Sequence, residues 1–549
     1  MHRYMTLVVG LAVLLGLVIG GCSPAATPTE PPQPGPTEAA TATQAAPTKT
    51  PAAPADGGTL VWVRSFIAEG PYNAAVSTGM EAEICGALFD TLVMQQPDGT
   101  LAPGALTESW ETSDDGLAYT FHLKKGITFH DGTPFDSEAV RFWIEEMKKG
   151  PSGYMFSQVE AVETPDGYTA VFEVSQPFPN LLWNLATYYS GVFSPTAYQQ
   201  AGEDFGTEVI VGTGPYVLVK FEPGEFILEK NPDYAWAPAS QPRQEGVLYP
   251  DELIFREVVE DSTRVMMIQS GDAHIVDIPA QYIEQVDAGA DTHVTQGLRS
   301  TIRYVGMNAA RWPFDDLRVR RAVAQAIDRE AIIRSLYFDA ALPSYSYLPP
   351  GMKEAEGAED YGYHYNPEAA RAKLAEAGWA DTDGDGIVEK DGKPLHVRLF
   401  SRTITLDQHV SEAVQAYLRD IGIDAEIQLV DKLQPVQESG DWEAQVYLST
   451  WANADILDWW FNPDYVPYPN FMGWEDEQTR DMLAATVNAP TWDERVEAFA
   501  ALNEYLTTQA LWAPILTPMR NFALSDSVRG FEVNSFEPMF MTMSIWLEQ

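Results

Sequence analysis

The sequence predicts a fold that mixes α-helices and β-strands, and three patterns predict it. Tyr119, Phe121 and Leu123 alternate with other residues, as the buried face of a strand does. Apolar residues recur at helical spacing after Asp316, namely Val319, Ala322, Val323, Ala326 and Ile327. A helix predicted from Asp407 to Gly422 passes directly into an apolar strand over residues 425–430. Such a passage is typical of a mixed sheet.

The first residues have the features of a secretion signal. His2 and Arg3 precede an apolar run over residues 7–19, which ends at Gly20-Gly21-Cys22. A membrane-spanning helix needs roughly 20 apolar residues, so this run is too short. The ending resembles the bacterial lipobox, in which the Cys is acylated and becomes the new N-terminus; the alternative is an ordinary signal peptide with a chance Cys. We expect a lipoprotein signal peptide at 1–21 and lipidation of Cys22.

Residues 22–56 are predicted to form a disordered tether. They are almost entirely Pro, Ala, Thr, Gln and Glu, and such a composition cannot bury enough surface to offset chain entropy. Proline favours extended conformations, so the segment acts as a semi-rigid spacer. The chain from Gly57 onward is long and rich in apolar residues, which indicates two or three lobes.

The net charge and the number of cysteines exclude one class of partner and one kind of cross-link. The net charge of −45 excludes nucleic acid as a partner, because phosphate contacts require clustered Lys and Arg. Cys85 is the one cysteine beyond Cys22, so no intramolecular disulfide is expected.

Further elements are predicted in chain order. Residues 59–63 indicate a strand and residues 80–93 a helix. The strand containing Tyr119 is expected to form a hairpin with residues 127–129, followed by a turn at 130–134. The remaining expected elements are a helix capped by Asp136 and running through Met147, strands near 159–162 and 170–174, a helix from Asn366-Pro367 that ends at Gly378, and a strand at 396–400.

Four ordered blocks of sequence point to one family. They include His130-Asp131-Gly132-Thr133-Pro134, Gly212-Thr213-Gly214-Pro215-Tyr216, Ser270-Gly271-Asp272 and Trp312-Pro313-Phe314-Asp315-Asp316, the last followed by Arg318-Val319-Arg320-Arg321-Ala322. In this order the blocks resemble the large solute-binding proteins of bacterial ABC importers, the cluster of oligopeptide-, dipeptide- and nickel-binding proteins. Most of these motif residues are expected to be scaffold rather than ligand contacts.

The resemblance implies a periplasmic-binding-protein type II-like α/β fold, with two hinged lobes that close on a solute and an extra inserted α/β domain. We assign lobe I to 57–95, 186–300 and 520–549, the inserted domain to 96–185, and lobe II to 301–519. The implied function is delivery of a peptide-like solute to ABC permease subunits by a monomer on the outer face of the cytoplasmic membrane, attached through its lipid alone. Oligosaccharide import is the alternative, and a sensory binding protein would share the fold.

The candidate ligand residues lie in and near residues 449–460. In peptide-binding relatives a Trp is followed shortly by an Asp that pairs with the ligand's α-ammonium, and by position these are Trp451 and Asp455, with Asp458 as a second acid. Asp455 could instead pair with an internal Arg or cap a helix. Trp459 and Trp460 could stack on a solute or belong to the core. Arg402 could bind a ligand carboxylate, or lie at the surface as most Arg do.

Asp381, Asp383 and Asp385 match the first half of a calcium-binding loop. The second half does not match, because position twelve is Gly392 rather than Glu, although Glu389 or Asp391 could contribute. A structural Ca²⁺ ion and a plain surface turn both remain open, and no other cofactor is expected.

No catalytic signature is recognised in the sequence. It contains no G-x-S-x-G, H-E-x-x-H or P-loop motif, and its histidines show no metal-ligand spacing. We therefore expect a binding protein rather than an enzyme. A secreted hydrolase that uses two carboxylates is the alternative of another class.

Overall fold

The computed structural model describes residues 57–548 except 69, 78–79, 97–99, 239–249, 451–452, 490 and 534–544. The predicted signal peptide, Cys22 and the tether lie outside these residues, as does Trp451.

The described residues form a mixed α/β fold, as predicted. The strands are β1 (Thr59–Arg64), β2 (Val93–Gln95), β3 (Leu101–Pro103), β4 (Thr107–Thr112), β5 (Ala118–Leu123), β6 (Val159–Asp166), β7 (Thr169–Val174), β8 (Tyr216–Glu222), β9 (Glu225–Lys230), β10 (Glu252–Glu257), β11 (Ile275–Asp277), β12 (Thr292–Leu298), β13 (Thr301–Met307), β14 (Ala341–Pro343), β15 (Glu389–Lys390), β16 (Lys393–Pro394), β17 (His396–Arg402), β18 (Asp424–Val430), β19 (Ala444–Thr450), β20 (Trp512–Ser525), β21 (Val528–Arg529) and β22 (Trp546–Leu547). The α-helices are α1 (Ala82–Leu88), α2 (Ser137–Met147), α3 (Asn180–Asn184), α4 (Pro195–Ala201), α5 (Asp261–Ser270), α6 (Ile283–Asp287), α7 (Leu317–Ala326), α8 (Arg329–Leu336), α9 (Ala358–Tyr361), α10 (Pro367–Glu376), α11 (Thr405–Asp420), α12 (Gln434–Ser439), α13 (Ile456–Phe461), α14 (Glu477–Asn488) and α15 (Trp492–Thr508).

A large sheet has the strand order β18-β17-β19-β13-β20-β11-β1-β10-β9-β8, and β12 and β14 also pair with β20. The first part of β20 pairs with β13 and β14, and its second part pairs with β11 and β12. Strand β20 is therefore shared. We call β1 and β8–β12 with the second part of β20 the first half-sheet, and β13, β14 and β17–β19 with the first part of β20 the second half-sheet.

The carboxyl ends of the parallel strands in both half-sheets face each other. In the first half-sheet β1 is parallel to β10 and β11, and β11 is antiparallel to β20. In the second, β17 is parallel to β18 and β19, and β13 is antiparallel to both β19 and β20. Because β20 runs from the second half-sheet into the first, both sets of strands point to the place where it crosses, which we call the junction.

A separate four-stranded antiparallel sheet, β4-β5-β7-β6, packs against α2. Asp136 caps α2 through the amide of Ala139, as predicted, and buried residues such as Trp143 and Met147 recur along one face of this helix. The expected hairpin between β5 and residues 127–129 is wrong, because β5 pairs with β4 and β7. Ile127 and Phe129 are instead buried beside a turn, in which the Phe129 amide donates to the Thr133 carbonyl.

The helix predicted over residues 80–93 is shorter than expected. Helix α1 ends at Leu88, whose carbonyl accepts a hydrogen bond from the Gly214 amide. The chain then extends so that the buried Asp90 carboxylate accepts hydrogen bonds from Thr213, Tyr234 and Trp236. Tertiary contacts therefore override the helical pattern here.

The family blocks contact one another, as expected of scaffold. His130 is hydrogen-bonded through Nε2 to the Gly214 carbonyl at 3.0 Å, and its Nδ1 accepts from the Gly212 amide. A Cβ atom at Gly212 would lie 2.1 Å from the Leu88 oxygen, so this position requires glycine because the backbones approach closely.

Candidate functional site

The junction is the expected place for a ligand. In open α/β sheets, ligands bind outside the carboxyl ends of the parallel strands. The ends that meet here carry Arg64 and Asp277 from the first half-sheet, and Arg402 and Thr450 from the second. The predicted residue Arg402 thus lies at the junction, and the chain enters the undescribed residues 451–452 directly from Thr450.

Arg402 already has a carboxylate partner. Its Nε donates to Asp407 at 2.6 Å, and the other oxygen of Asp407 accepts from the buried Arg303 at 2.7 Å. Asp407, expected at the start of a helix, lies inside the first turn of α11 and is buried. The Arg402 side chain is 30% exposed, so a solute would meet an oriented and partly neutralised guanidinium.

Asp455 is bound to protein groups on both of its oxygens. One oxygen forms an ion pair with Arg495, and the other accepts a hydrogen bond from the Asn180 side chain. Arg495 is buried and lies over the Phe499 ring at 4.6 Å. The sequence left open that Asp455 pairs with an internal Arg, and the structure has this arrangement. The carboxylate therefore needs no ligand ammonium for charge balance.

Asp458 is largely buried and differs from Asp455 in its partner. It accepts a hydrogen bond from Asn462 at 2.8 Å, and it forms no ion pair within the described part of the chain. Burial raises the pKa of the Asp458 carboxyl to about 6, the Asn462 hydrogen bond opposes this rise, and the charge of Asp455 adds to it. Asp458 is thus a carboxyl that gains a proton just below neutral pH.

The predicted tryptophans have different environments. Trp460 is buried, donates to Ser449 Oγ at 3.2 Å and packs edge-on against Phe471, so it belongs to the core. Trp459 is half-buried, and its ring centroid lies 6.4 Å from that of Tyr154. Trp451 lies outside the described residues.

A contact between distant segments was not foreseen. Trp183 of α3 stacks on Trp492 at the start of α15, with centroids 4.5 Å apart and an interplanar angle of 26°. Asn180 of α3 also donates a hydrogen bond to Asp455, which directly precedes α13 and is ion-paired with Arg495 of α15. We call these two contacts the α3–α15 clasp. About three hundred residues separate Trp183 from Trp492, and no local pattern signals such a pair.

The first half-sheet contributes a charged cluster that sequence reasoning also missed. The buried Glu83 binds Arg64 at 2.7 Å through one oxygen and Arg520 at 2.6 Å through the other. Burial alone would raise the pKa of the Glu83 carboxyl, but the two guanidinium groups outweigh it and hold the pKa at about 2. Glu81 is also bound to Arg64, at 3.2 Å. Nothing in the spacing of these residues predicts that they meet.

A small cavity of about 10 Å³ opens at the crossing of β13 and β20, room for roughly one water molecule. It is lined by Ser300, Ile302, Tyr347, Pro349, Ser449, Asn453, Ile456 and Trp512.

The acidic residues that match part of a calcium-binding loop lie close together in the structure, and we call them the acidic loop. One carboxylate oxygen each from Asp381, Asp383, Asp385 and Glu389 lies within 4.8 Å of the others. The amides of Gly384 and Gly386 donate to Asp381. Carboxylates gathered in this way match the ligands that Ca²⁺ prefers.

Within the described ranges, no helix has the length and apolar character required to cross a membrane.

Comparisons with known proteins agree with this architecture. Residues 102–477 match the family model described as bacterial extracellular solute-binding proteins, family 5 middle. The glutathione-binding protein GsiB of Salmonella paratyphi A is 27% identical over 444 residues, covering 78% of this chain and 82% of that protein. GsiB of Escherichia coli K12 is 26% identical over the same length.

Two solved structures share the fold. The oligopeptide-binding protein AppA of Bacillus subtilis, in complex with a nonapeptide, superposes with a TM-score of 0.71 at 21% identity, covering 90% of this chain and all of that one. NikA of Brucella suis, in complex with Fe(III)-EDTA, gives a TM-score of 0.77 at 20% identity, covering 89% of this chain and all of that one. The type II periplasmic-binding-protein fold is thereby confirmed, while the exact lobe boundaries stay a prediction.

The family model covers about two thirds of the sequence, and its members bind solutes for transport and carry out no catalysis. The chain therefore belongs to the bacterial extracellular solute-binding proteins of family 5.

Proposed function

We propose that this chain binds a peptide-like solute at the junction and delivers it to an ABC importer. The observation that carries the proposal is the charge of the junction. Each half-sheet ends there in an arginine that is paired with a carboxylate of a helix, Arg402 with Asp407 of α11 and Arg64 with Glu83 of α1. A peptide carries groups of both signs, whereas a neutral oligosaccharide gives such side chains no ionic partner.

Two relatives support this solute class. GsiB binds glutathione, a tripeptide, and AppA is seen with a nonapeptide. The α3–α15 clasp brings remote parts of this chain together, as closure around a solute would require.

A thermal-shift screen tests the solute class directly. Di- to octapeptides are compared with cello- and xylo-oligosaccharides and with Ni²⁺. A ligand that binds only the folded state raises the melting temperature. We expect a rise with one or more peptides; a rise with sugars and none with any peptide would overturn the proposal.

We also propose that the protein is held at the outer face of the cytoplasmic membrane by a lipid on Cys22. The Gly20-Gly21-Cys22 ending and the Pro-rich residues after it support this anchor. Radiolabelled palmitate should label the wild-type protein, and Cys22→Ser should abolish labelling and release the protein in soluble form. Labelling that persists in Cys22→Ser would refute the anchor.

For the acidic loop we propose a structural Ca²⁺ ion held by Asp381, Asp383, Asp385 and Glu389. The convergence of four carboxylates supports it.

A further inference from the structure

Arg299 lies between the two half-sheets, in the short connection from β12 to β13. Its amide donates to the Pro518 carbonyl of β20 at 3.2 Å. Two residues later, Thr301 Oγ1 lies 3.0 Å from Thr450 Oγ1 at the carboxyl end of β19. The residue is therefore fixed by its backbone at the junction, next to strands of both half-sheets.

The Arg299 side chain is exposed to solvent, and its guanidinium forms no ion pair or hydrogen bond with any described residue. Desolvation by the surrounding protein nevertheless lowers its pKa, and the like charges of Arg520 and Arg64 lower it further. The Arg299 guanidinium is thus open to solvent and yet close enough to two other cations to be affected by their charge. Such a position suits a ligand contact.

The carboxylates that act on Arg299 are already bound by other groups. Glu83 is held between Arg64 and Arg520. Asp277 accepts hydrogen bonds from the Ser65 amide and from its hydroxyl, the latter at 2.8 Å. Among the described residues the Arg299 guanidinium thus has no bonded partner and lies near two other cations, and an anion placed there would relieve their repulsion.

We propose that Arg299 binds a carboxylate of the solute and so selects anionic over uncharged peptide ends. The inference rests on the proposed peptide function and deepens it. The carboxylate belongs either to the C-terminus or to an acidic side chain, and the two share the same chemistry toward a guanidinium.

Calorimetric titration of four variants tests the proposal: wild type, Arg299→Gln, Arg299→Lys and the control Arg419→Gln. Arg419 is 65% exposed at the end of α11, and its nearest carboxylate is 3.9 Å away, so its loss removes one charge without touching the junction. The ligands are Ala-Ala-Ala, its C-terminal amide, and Ala-Glu-Ala amide.

We expect Arg299→Gln to weaken binding of the carboxylate-bearing peptides at least about ten-fold and to leave binding of Ala-Ala-Ala amide, which has no carboxylate, unchanged. Arg299→Lys should retain part of the affinity, and Arg419→Gln should match wild type. Weakening confined to Ala-Ala-Ala assigns the C-terminus, and weakening confined to Ala-Glu-Ala amide assigns the side chain.

Two results would overturn the assignment of Arg299 while leaving the peptide function intact. One is wild-type binding that Arg299→Gln does not change, and the other is equal weakening for all three peptides. If wild type binds no peptide at all, the proposed function itself fails. The melting temperature of Arg299→Gln should equal that of wild type, because the guanidinium has no ion pair or hydrogen bond to lose in the described part of the chain.

Discussion

Asp455 and Asp458 are three residues apart, yet their carboxylates differ in how they are compensated. Asp455 is paired with the buried Arg495, whereas Asp458 accepts hydrogen bonds from Asn462 and Tyr465 and forms no ion pair among the described residues. We therefore expect the same Asp-to-Asn change to cost much more stability at Asp455 than at Asp458.

Asp455→Asn should lower the free energy of unfolding by about 3 kcal/mol at pH 7, because it leaves the Arg495 guanidinium buried and unpaired. Urea denaturation of the purified protein measures this. Asp458→Asn is the matched control and should cost much less, since it removes a buried charge that lacks a cation. Equal losses for both variants would contradict the role given to Arg495.

The raised pKa of Asp458 makes its contribution depend on pH. The folded state holds the proton up to about pH 6, above the ordinary value for Asp, so the folded state binds more protons than the unfolded state between about pH 4 and 6. The unfolding free energy of wild type relative to Asp458→Asn should therefore fall as pH rises through this window, by roughly 2–3 kcal/mol in all. If the difference in unfolding free energy between the two proteins does not change from pH 4 to 7, the pKa of Asp458 is not raised.

Single residues also show how far the sequence could predict the site. Arg402 could be named as a candidate ligand residue because it follows a strand that is recognisable from local pattern. Arg64, Glu83, Arg299 and Arg520 were missed. Their proximity depends on which strands pair, and an isolated Arg or Glu carries no mark of its partner.

Helices α3 and α15 meet through the α3–α15 clasp, and its stacked rings should be energetically coupled. A double-mutant cycle of Trp183→Ala and Trp492→Ala should give a coupling energy of about 1 kcal/mol in urea unfolding. The comparison pair is Trp312 and Trp379, whose centroids lie 5.6 Å apart with Trp312 half-exposed, and its coupling should be smaller. Additive effects of the clasp mutations would mean that the stack contributes nothing.

The acidic loop before β15 should respond to calcium. Millimolar Ca²⁺, in the range of extracellular sites, should raise the melting temperature of wild type, because the ion offsets repulsion among four carboxylates. Asp383→Asn should reduce the rise, and Asp391→Asn, just outside the cluster, should preserve it. No shift in wild type would leave the loop as a plain surface turn.

Most elements could be predicted from sequence where the signal is local. Three helices begin where the sequence indicates, and the side chain of an N-cap residue accepts a hydrogen bond from the first turn of each: Asp136, Asp316 and Asn366. At residues 80–93 buried tertiary hydrogen bonds replaced the helical pattern, and at 127–129 the chain turns while β4 and β7 pair with β5. Local periodicity contains no information on such contacts.

The whole molecule carries a net charge of −45, while the proposed subsite at the junction is cationic. An acidic peptide is therefore repelled at long range and attracted only at short range. Raising NaCl from about 20 mM to about 500 mM should increase its association rate constant, because salt screens the distant charges. Stopped-flow tryptophan fluorescence measures this, with an uncharged peptide as the control; a rate that falls with salt would contradict the argument.

The shared strand β20 has a consequence for how the protein is made. The first half-sheet begins with β1 at Thr59. Strand β11 pairs with β1 along one edge, and along its other edge it pairs with residues 522–524 of β20. Synthesis proceeds from the N-terminus, so the earliest strands wait for nearly the last ones before their sheet is complete. A nascent chain arrested before residue 512 should therefore keep the first half-sheet open at one edge and sensitive to protease, however much of the rest has folded.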